Sequence, residues 1–118
     1  TLNTASADCS FIGGGSNNIA CGRNTSIGGG TLNTASQACS FIGGGYQNSL
    51  NTSSTVSDYD SSGNPIYVTV GTGSVIVGGN LNTSSANNSF IGGGYKNKIP
   101  DGYREGSVIV GGTNTRIL

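Results

Sequence analysis

The stretch Ser40-Phe41-Ile42-Gly43-Gly44-Gly45 recurs with small variations along the whole chain. Six copies align on their isoleucines, which are Ile12, Ile27, Ile42, Ile76, Ile91 and Ile109. The steps between them are 15, 15, 34, 15 and 18 residues. Six residues after each of the first five isoleucines stands an asparagine, at Asn18, Asn33, Asn48, Asn82 and Asn97, whereas in the sixth copy the pattern slips and Asn114 comes one residue early. A short period repeated this often indicates a stacked array of similar coils.

A 15-residue period suits one coil made of two short strands and two tight turns. Helix is disfavoured, because every repeat carries a run of glycines beside β-branched residues. The motif around Ile42 predicts one strand per coil, and the Asn-Thr-Ala-Ser stretch from Asn33 to Ser36 predicts the second. We therefore predict an all-β parallel solenoid in which strands of successive coils stack about 4.8 Å apart.

The composition fits a thin, regular core better than a wide one. The chain has 22 glycines, 8% charged residues and neither Met nor Trp, whereas globular domains carry about 25% charge. Disorder is the alternative, but zero net charge and evenly spaced Ile and Val argue against it. The sequence has no basic stripe, so it does not predict nucleic-acid binding. It has no run of ~20 apolar residues, so it does not predict a membrane-spanning helix.

The residue before each isoleucine predicts association between chains. This column reads Phe11, Ser26, Phe41, Val75, Phe90 and Val108. Side chains alternate along a strand, so this column faces away from the isoleucines. A strand that is apolar on both faces needs cover on both, and one coil covers only one of them. A monomeric solenoid with an exposed apolar stripe is the alternative.

The repeated pattern Ser-Phe-Ile-Gly-Gly-Gly-x-x-Asn-x-Ala/Ser resembles the head repeats of trimeric autotransporter adhesins. It is still more similar to related repeats in tail-fibre proteins of phages and giant viruses. The resemblance covers most of the chain outside Asn51 to Gly73 and Pro100 to Gly106. It implies a left-handed parallel β-roll, three chains around one axis, and an extracellular role as a shaft or binding head on a virion or bacterial surface.

The 34-residue step points to an inserted hairpin, which we place at residues 52–73. Thr55-Val56-Ser57 and the alternating run from Ile66 to Val70 are strand-like, and Ser61 to Pro65 is turn-forming. An irregular coil anchored by Val56 is the alternative. A second, shorter insertion at residues 100–106 carries Tyr103.

The hairpin holds the candidate binding residues Tyr59, Tyr67, Asp58 and Asp60, with Tyr103 presented by the second insertion. Aromatic rings mixed with carboxylates suit glycan contacts, although tyrosines there would serve equally to cover the flank of the solenoid.

A calcium site is a further hypothesis for the hairpin. Asp58, Asp60 and Ser62 before Gly63 match the first half of a calcium loop, but Thr69 stands where the bidentate Glu belongs. No other cofactor is expected.

The sequence contains no histidine, which excludes Ser-His and Cys-His nucleophilic pairs. Asp58 with Asp60, and Asp101 with Glu105, are the conceivable carboxylate pairs, and solvated loops explain both. Cys9 and Cys39 share one repeat position two coils apart, too far for a disulfide within the chain. We expect them and Cys21 to be buried free thiols, with an inter-chain bond as the alternative.

These observations predict a non-enzymatic, structural and receptor-binding segment of a trimeric fibre that attaches to a host surface or glycan. The alternatives are an ice-binding solenoid, a non-catalytic stalk or spacer, and a glycan-cleaving tail spike.

Overall fold

The computed structural model describes residues 2–70, 72–100 and 105–118, apart from the side chains of 53–57 and 67–70. All regular elements in these ranges are strands, so none of them is a helix with the length and hydrophobicity that crossing a membrane requires. In chain order the strands are β1 (Thr4–Ala5), β2 (Phe11–Ile12), β3 (Ile19–Ala20), β4 (Ser26–Ile27), β5 (Thr34–Ala35), β6 (Phe41–Ile42), β7 (Ser49–Leu50), β8 (Ser53–Tyr59), β9 (Pro65–Val70), β10 (Val75–Ile76), β11 (Thr83–Ser84), β12 (Phe90–Ile91), β13 (Lys98–Ile99) and β14 (Val108–Ile109).

The strands of the coils form two six-stranded parallel sheets. Sheet A contains β1, β3, β5, β7, β11 and β13, and sheet B contains β2, β4, β6, β10, β12 and β14. Equivalent residues of successive coils pair in register, so that Ile42 pairs with Ile27 on one side and Ile76 on the other. The predicted all-β parallel solenoid is confirmed, with strands of two residues that are shorter than the motif suggested.

The core lies between the two sheets and is filled by inward-facing side chains from both. Ile27, Ile42, Ile76 and Ile91 are fully buried in sheet B. The buried residues of sheet A are Ala20, Ala35, Leu50, Ser84 and Ile99. Burial of each isoleucine contributes about 1.5–3 kcal/mol, which a stack repeats coil by coil. Phe41, the neighbour of Ile42, is 41% exposed, so the predicted division of the strand into two faces is confirmed.

The asparagine column is a buried hydrogen-bond ladder. The Nδ2 group of Asn33 donates to the carbonyl oxygens of Gly29 at 3.1 Å and Gly45 at 3.0 Å. Its Oδ1 atom accepts from the backbone N–H of Asn48 at 3.0 Å, and the same contact joins Asn82 to Asn48 across the long insertion. An unpaired buried amide would cost about 1–3 kcal/mol, so the ladder specifies asparagine at this turn.

Each regular coil turns its corners with backbone of positive φ. In the third coil these residues are Cys39, Gly45 and Gln47, with φ of 54°, 94° and 52°. A Cβ on Gly45 would collide with the carbonyl oxygen of Gly79 in the next coil. Glycine is therefore required at this corner by conformation and by the close approach of the next backbone.

The sixth coil keeps the register that the sequence pattern suggested it had lost. Thr113 pairs with Tyr95, and Asn114 takes the corner position with φ of 56°. Thr115 then occupies the ladder position, where its backbone N–H donates to Asn97 Oδ1 at 2.9 Å. The prediction that the sixth coil slips is wrong. Thr115 stands at the ladder position where the other coils have asparagine, and the backbone keeps the same register.

The long insertion is an antiparallel hairpin of β8 and β9 that leaves the stack and returns to it. Val56 pairs with Tyr67 inside this hairpin, so it does not anchor an irregular coil. Thr72 already pairs with Ala38 of the preceding coil, and the Gly73 N–H donates to the Ala38 oxygen at 2.8 Å. The insertion thus ends earlier than the predicted 52–73.

Gln37 lies where the hairpin departs and is fully buried. Its Nε2 group donates to the carbonyl oxygens of Asn51 and Ser84, both at 3.0 Å. One side chain thereby ties the third coil to the backbone on either side of the insertion. This contact helps the coils close below the hairpin.

Candidate functional site

The hairpin presents the side chains that the sequence singled out, but only some of them lie in the described structure. Asp58, Tyr59 and Asp60 are exposed, with Tyr59 63% accessible. The backbone of Tyr67 pairs with Val56, and its side chain lies outside the described part. Tyr103 and Asp101 lie outside it as well.

Asp60 closes the hairpin turn. Its Oδ1 atom accepts from the backbone N–H groups of Ser62 and Asn64, both at 2.9 Å. The pKa of Asp60 is lowered from its ordinary value of 3.8, chiefly by the backbone hydrogen bond from Asn64. Desolvation opposes this shift, and the hydrogen bonds from the Ser62 backbone and the Asn64 side chain add to it. A carboxyl group with a lowered pKa is charged near neutral pH and is a poor general acid.

The calcium hypothesis gains no support from this arrangement. The Asp58 carboxylate accepts from the backbone N–H of Tyr59 at 2.8 Å, and Asp60 holds the turn. Within the described ranges, no three His, Cys, Asp or Glu side chains gather as metal ligands. The chain itself supplies donors for both carboxylates, so we do not carry calcium into the proposed function.

The three cysteines differ from expectation. Cys9, Cys21 and Cys39 are free thiols, but all three are exposed. The expectation of burial is wrong because Cys9 and Cys39 occupy corners of positive φ, at 58° and 54°. Cys21 Sγ lies 3.2 Å from Ser36 Oγ on the outer side of sheet A.

The outer face of sheet B is apolar over nearly its whole length. Its exposed large residues are Phe11 (59%), Phe41 (41%), Val77 (49%), Val108 (56%) and Val110 (81%). A single soluble chain rarely exposes so continuous an apolar surface.

The residues of this face complement one another in volume. A ring carbon of Phe41 lies 3.5 Å from the place of a Cβ on Gly43, so the ring covers that glycine. Phe11 and Phe90 cover their own glycines in the same way. Val75 stands in a phenylalanine position, and there Val77 replaces the glycine. Five of the six coils therefore carry either a phenylalanine beside a glycine or two valines on this face.

The outer face of sheet A is mainly hydroxylic. Its outward pairs include Thr4 with Ser6, Thr34 with Ser36, and Thr83 with Ser85. The rows are interrupted by Ile19 and Cys21 in one coil, by Asn51 in another, and by Lys98 and Pro100 in a third. The solenoid therefore has one apolar and one mainly polar outer face.

A third surface, which the sequence analysis did not single out, lies at the edge opposite the hairpin. Tyr46, Asn80 and Tyr95 stand in consecutive coils and are joined by parallel bridges. We call these three residues the tyrosine edge. Tyr46 is 42% and Tyr95 40% exposed. The signal was present in the sequence, because each residue stands four positions after a core isoleucine.

The described surface has no concave pocket. No protein-family model, curated protein or solved structure matches the chain.

Proposed function

We propose that this chain is a structural and receptor-binding segment of a trimeric extracellular fibre, carried on a virion or a bacterial surface, that attaches to a host surface or its glycans. The apolar outer face of sheet B is the main support for the association. A left-handed coil and the number of three chains come from the resemblance of the repeats to adhesin heads and tail fibres.

The difference between the two outer faces favours association through sheet B and not through sheet A. Burying sheet B of one copy against other copies removes Phe41, Val77 and Val110 from water, at about 25 cal/mol for each Å² of apolar area. Sheet A, the hairpin and the tyrosine edge then remain outside. Such a unit has a dry centre and polar surfaces that are free for recognition.

Sedimentation velocity tests the association. We expect a trimer for the unmodified chain and a weaker one for Phe41→Ser, with little change in unfolding because Phe41 lies outside the core. Thr34→Ala, on the outer face of sheet A, is the matched control and should change neither quantity. A stable monomer with an intact β signal would show that the proposal is wrong.

The rows of Thr and Ser on sheet A favour ice binding as a second candidate function. Hydroxyls repeated about every 4.8 Å along a flat face could order water. Thermal hysteresis at micromolar protein that disappears in Thr34→Tyr would favour this function. Growth of ice unaffected by the protein would exclude it.

A further inference from the structure

The tyrosine edge combines several features of a ligand site. Two half-exposed rings, Tyr46 and Tyr95, stand two coils apart with Asn80 between them. Strand stacking sets their separation at about 9.5 Å. The backbone under each ring is fixed, since the N–H groups of Tyr46 and Tyr95 donate to Gly79 and Gly112 at 2.9 Å.

Asn80 adds an unmet hydrogen-bond acceptor. Its Oδ1 atom is buried and has no donor among the described residues. Such an atom costs about 1–3 kcal/mol when it is left unpaired. A half-turn of the amide about the Cβ–Cγ bond would bring this oxygen to the surface of the half-buried residue, where a sugar hydroxyl could donate to it.

The side of the solenoid that carries the tyrosine edge has a positive charge and no negative one. Residues 13–18, 28–33, 43–48, 77–82, 92–97 and 110–115 form the corners on this side. Together they contain one lysine and no acidic residue. Lys96 Nζ lies 5.1 Å from the centre of the Tyr95 ring, so a positive charge stands beside the aromatic surface.

These features fit an extended polysaccharide. Tyrosine rings stack on the apolar faces of sugar rings, while amides and hydroxyls pair with sugar hydroxyls. In an extended β-1,4-linked chain, every second sugar presents the same face. The length of two such sugars is close to the spacing of Tyr46 and Tyr95, and the absence of a pocket in the described surface suits a polymer.

We infer that the tyrosine edge binds an extended β-1,4-linked polysaccharide, with Tyr46 and Tyr95 stacked on alternate sugars and Lys96 favouring chains that carry carboxylates. This inference deepens the proposed function by naming a ligand class, and it rests on that function only for its biological setting.

Affinity electrophoresis measures the binding directly. The two probes are hydroxyethylcellulose, which is neutral, and carboxymethylcellulose, which is acidic on the same backbone. We expect both to retard the protein, the acidic one more strongly, with Lys96→Gln abolishing the difference. Tyr46→Ala or Tyr95→Ala should weaken retention at least about fivefold, as for an aromatic anchor of a binding site. Tyr46→Phe, which keeps the ring, should bind nearly as well.

A gain of binding tests the spacing and does not depend on the stability of the alanine variants. Ser16 stands two coils before Tyr46 in the same column, and Thr31 stands one coil before it. Ser16→Tyr adds a ring in phase with the other two and should strengthen retention by about fivefold or more. Thr31→Tyr adds the same ring out of phase and should give no comparable gain.

Several results would overturn the inference. They are no retardation by either polymer, retention unchanged in both alanine variants, loss of retention only in Tyr59→Ala on the hairpin, or equal gains from the two added tyrosines. Sedimentation of the same samples separates this failure from that of the proposed function. A trimer that binds neither polymer refutes the ligand alone, whereas a monomer that binds refutes the trimer alone.

Discussion

The coil stack and the hairpin are both β-structure, but different contacts hold them. In the stack, Ile42 is fully buried, and each coil between the two end coils bonds to a coil on both sides. In the described structure the hairpin strands β8 and β9 form a sheet of their own, and the turn between them is exposed from Asp58 to Ile66. The comparison teaches that contacts between coils, and not the hairpin, set the register in which successive coils pair. The hairpin is accommodated because the coils reconnect beneath it.

The largest effect should come from breaking the buried ladder. Asn48→Ala removes the amide that pairs with Gly44 O, Gly79 O and the Asn82 N–H. Gly79 O still accepts from the Tyr46 N–H, so Gly44 O and the Asn82 N–H are the two groups left unpaired. At about 1–3 kcal/mol for each, we expect a loss of roughly 2–6 kcal/mol in the free energy of unfolding. Chemical denaturation measures it. Asn64→Ala makes the same change in the hairpin and should cost far less; equal losses would contradict the comparison.

The next effect should come from the core column. Ile42→Ala leaves a cavity between Ile27 and Ile76 and should cost about 2–5 kcal/mol. Thermal and chemical denaturation measure this loss. Ile66→Ala in the hairpin, where the side chain is 46% exposed, is the matched control.

Phe41→Ser beside Ile42 separates the two faces of one strand. We expect it to lower association more than stability. If Phe41→Ser weakens folding and Ile42→Ala weakens only association, the assignment of the faces is inverted.

Removal of the hairpin should have a smaller effect. The 34-residue step exceeds the period by 19 residues, which matches the length of residues 52–70. A chain that lacks 52–70 regains a 15-residue step, so its circular dichroism and its sedimentation should resemble those of the full chain. Collapse of either signal would mean that the stack depends on the hairpin.

The smallest effect should be the response of the hairpin turn to acid. The pKa of Asp60 is lowered in the folded chain, so its carboxylate stabilises the turn above the ordinary value of 3.8, and this stabilisation is lost as pH falls through the lowered pKa. The amide resonances of Ser62 and Asn64 should shift in that acidic range while that of Asn33 stays constant. Asp60→Asn should remove this titration, and a turn indifferent to acid would refute the role of Asp60.

The sequence by itself determined the period, the two strand faces and the existence of the hairpin. These features are local or repeated, and an isoleucine that recurs with Gly and Asn at fixed offsets leaves few arrangements that bury it. Even the hairpin could be predicted, because alternation from Ile66 to Val70 and a turn-forming segment are short-range signals.

Only the tertiary structure decided which positions face solvent at the corners. From the sequence, Cys9 and Cys39 were expected to be buried as small apolar residues. In the structure they lie at corners with left-handed backbone and are exposed. Asn114 reads as a misplaced ladder residue, yet the backbone assigns that place to Thr115. Tyr46 and Tyr95 are 49 positions apart in the sequence, and stacking alone brings them to one edge. Such placements depend on backbone conformation and on contacts between coils, which composition and spacing do not encode.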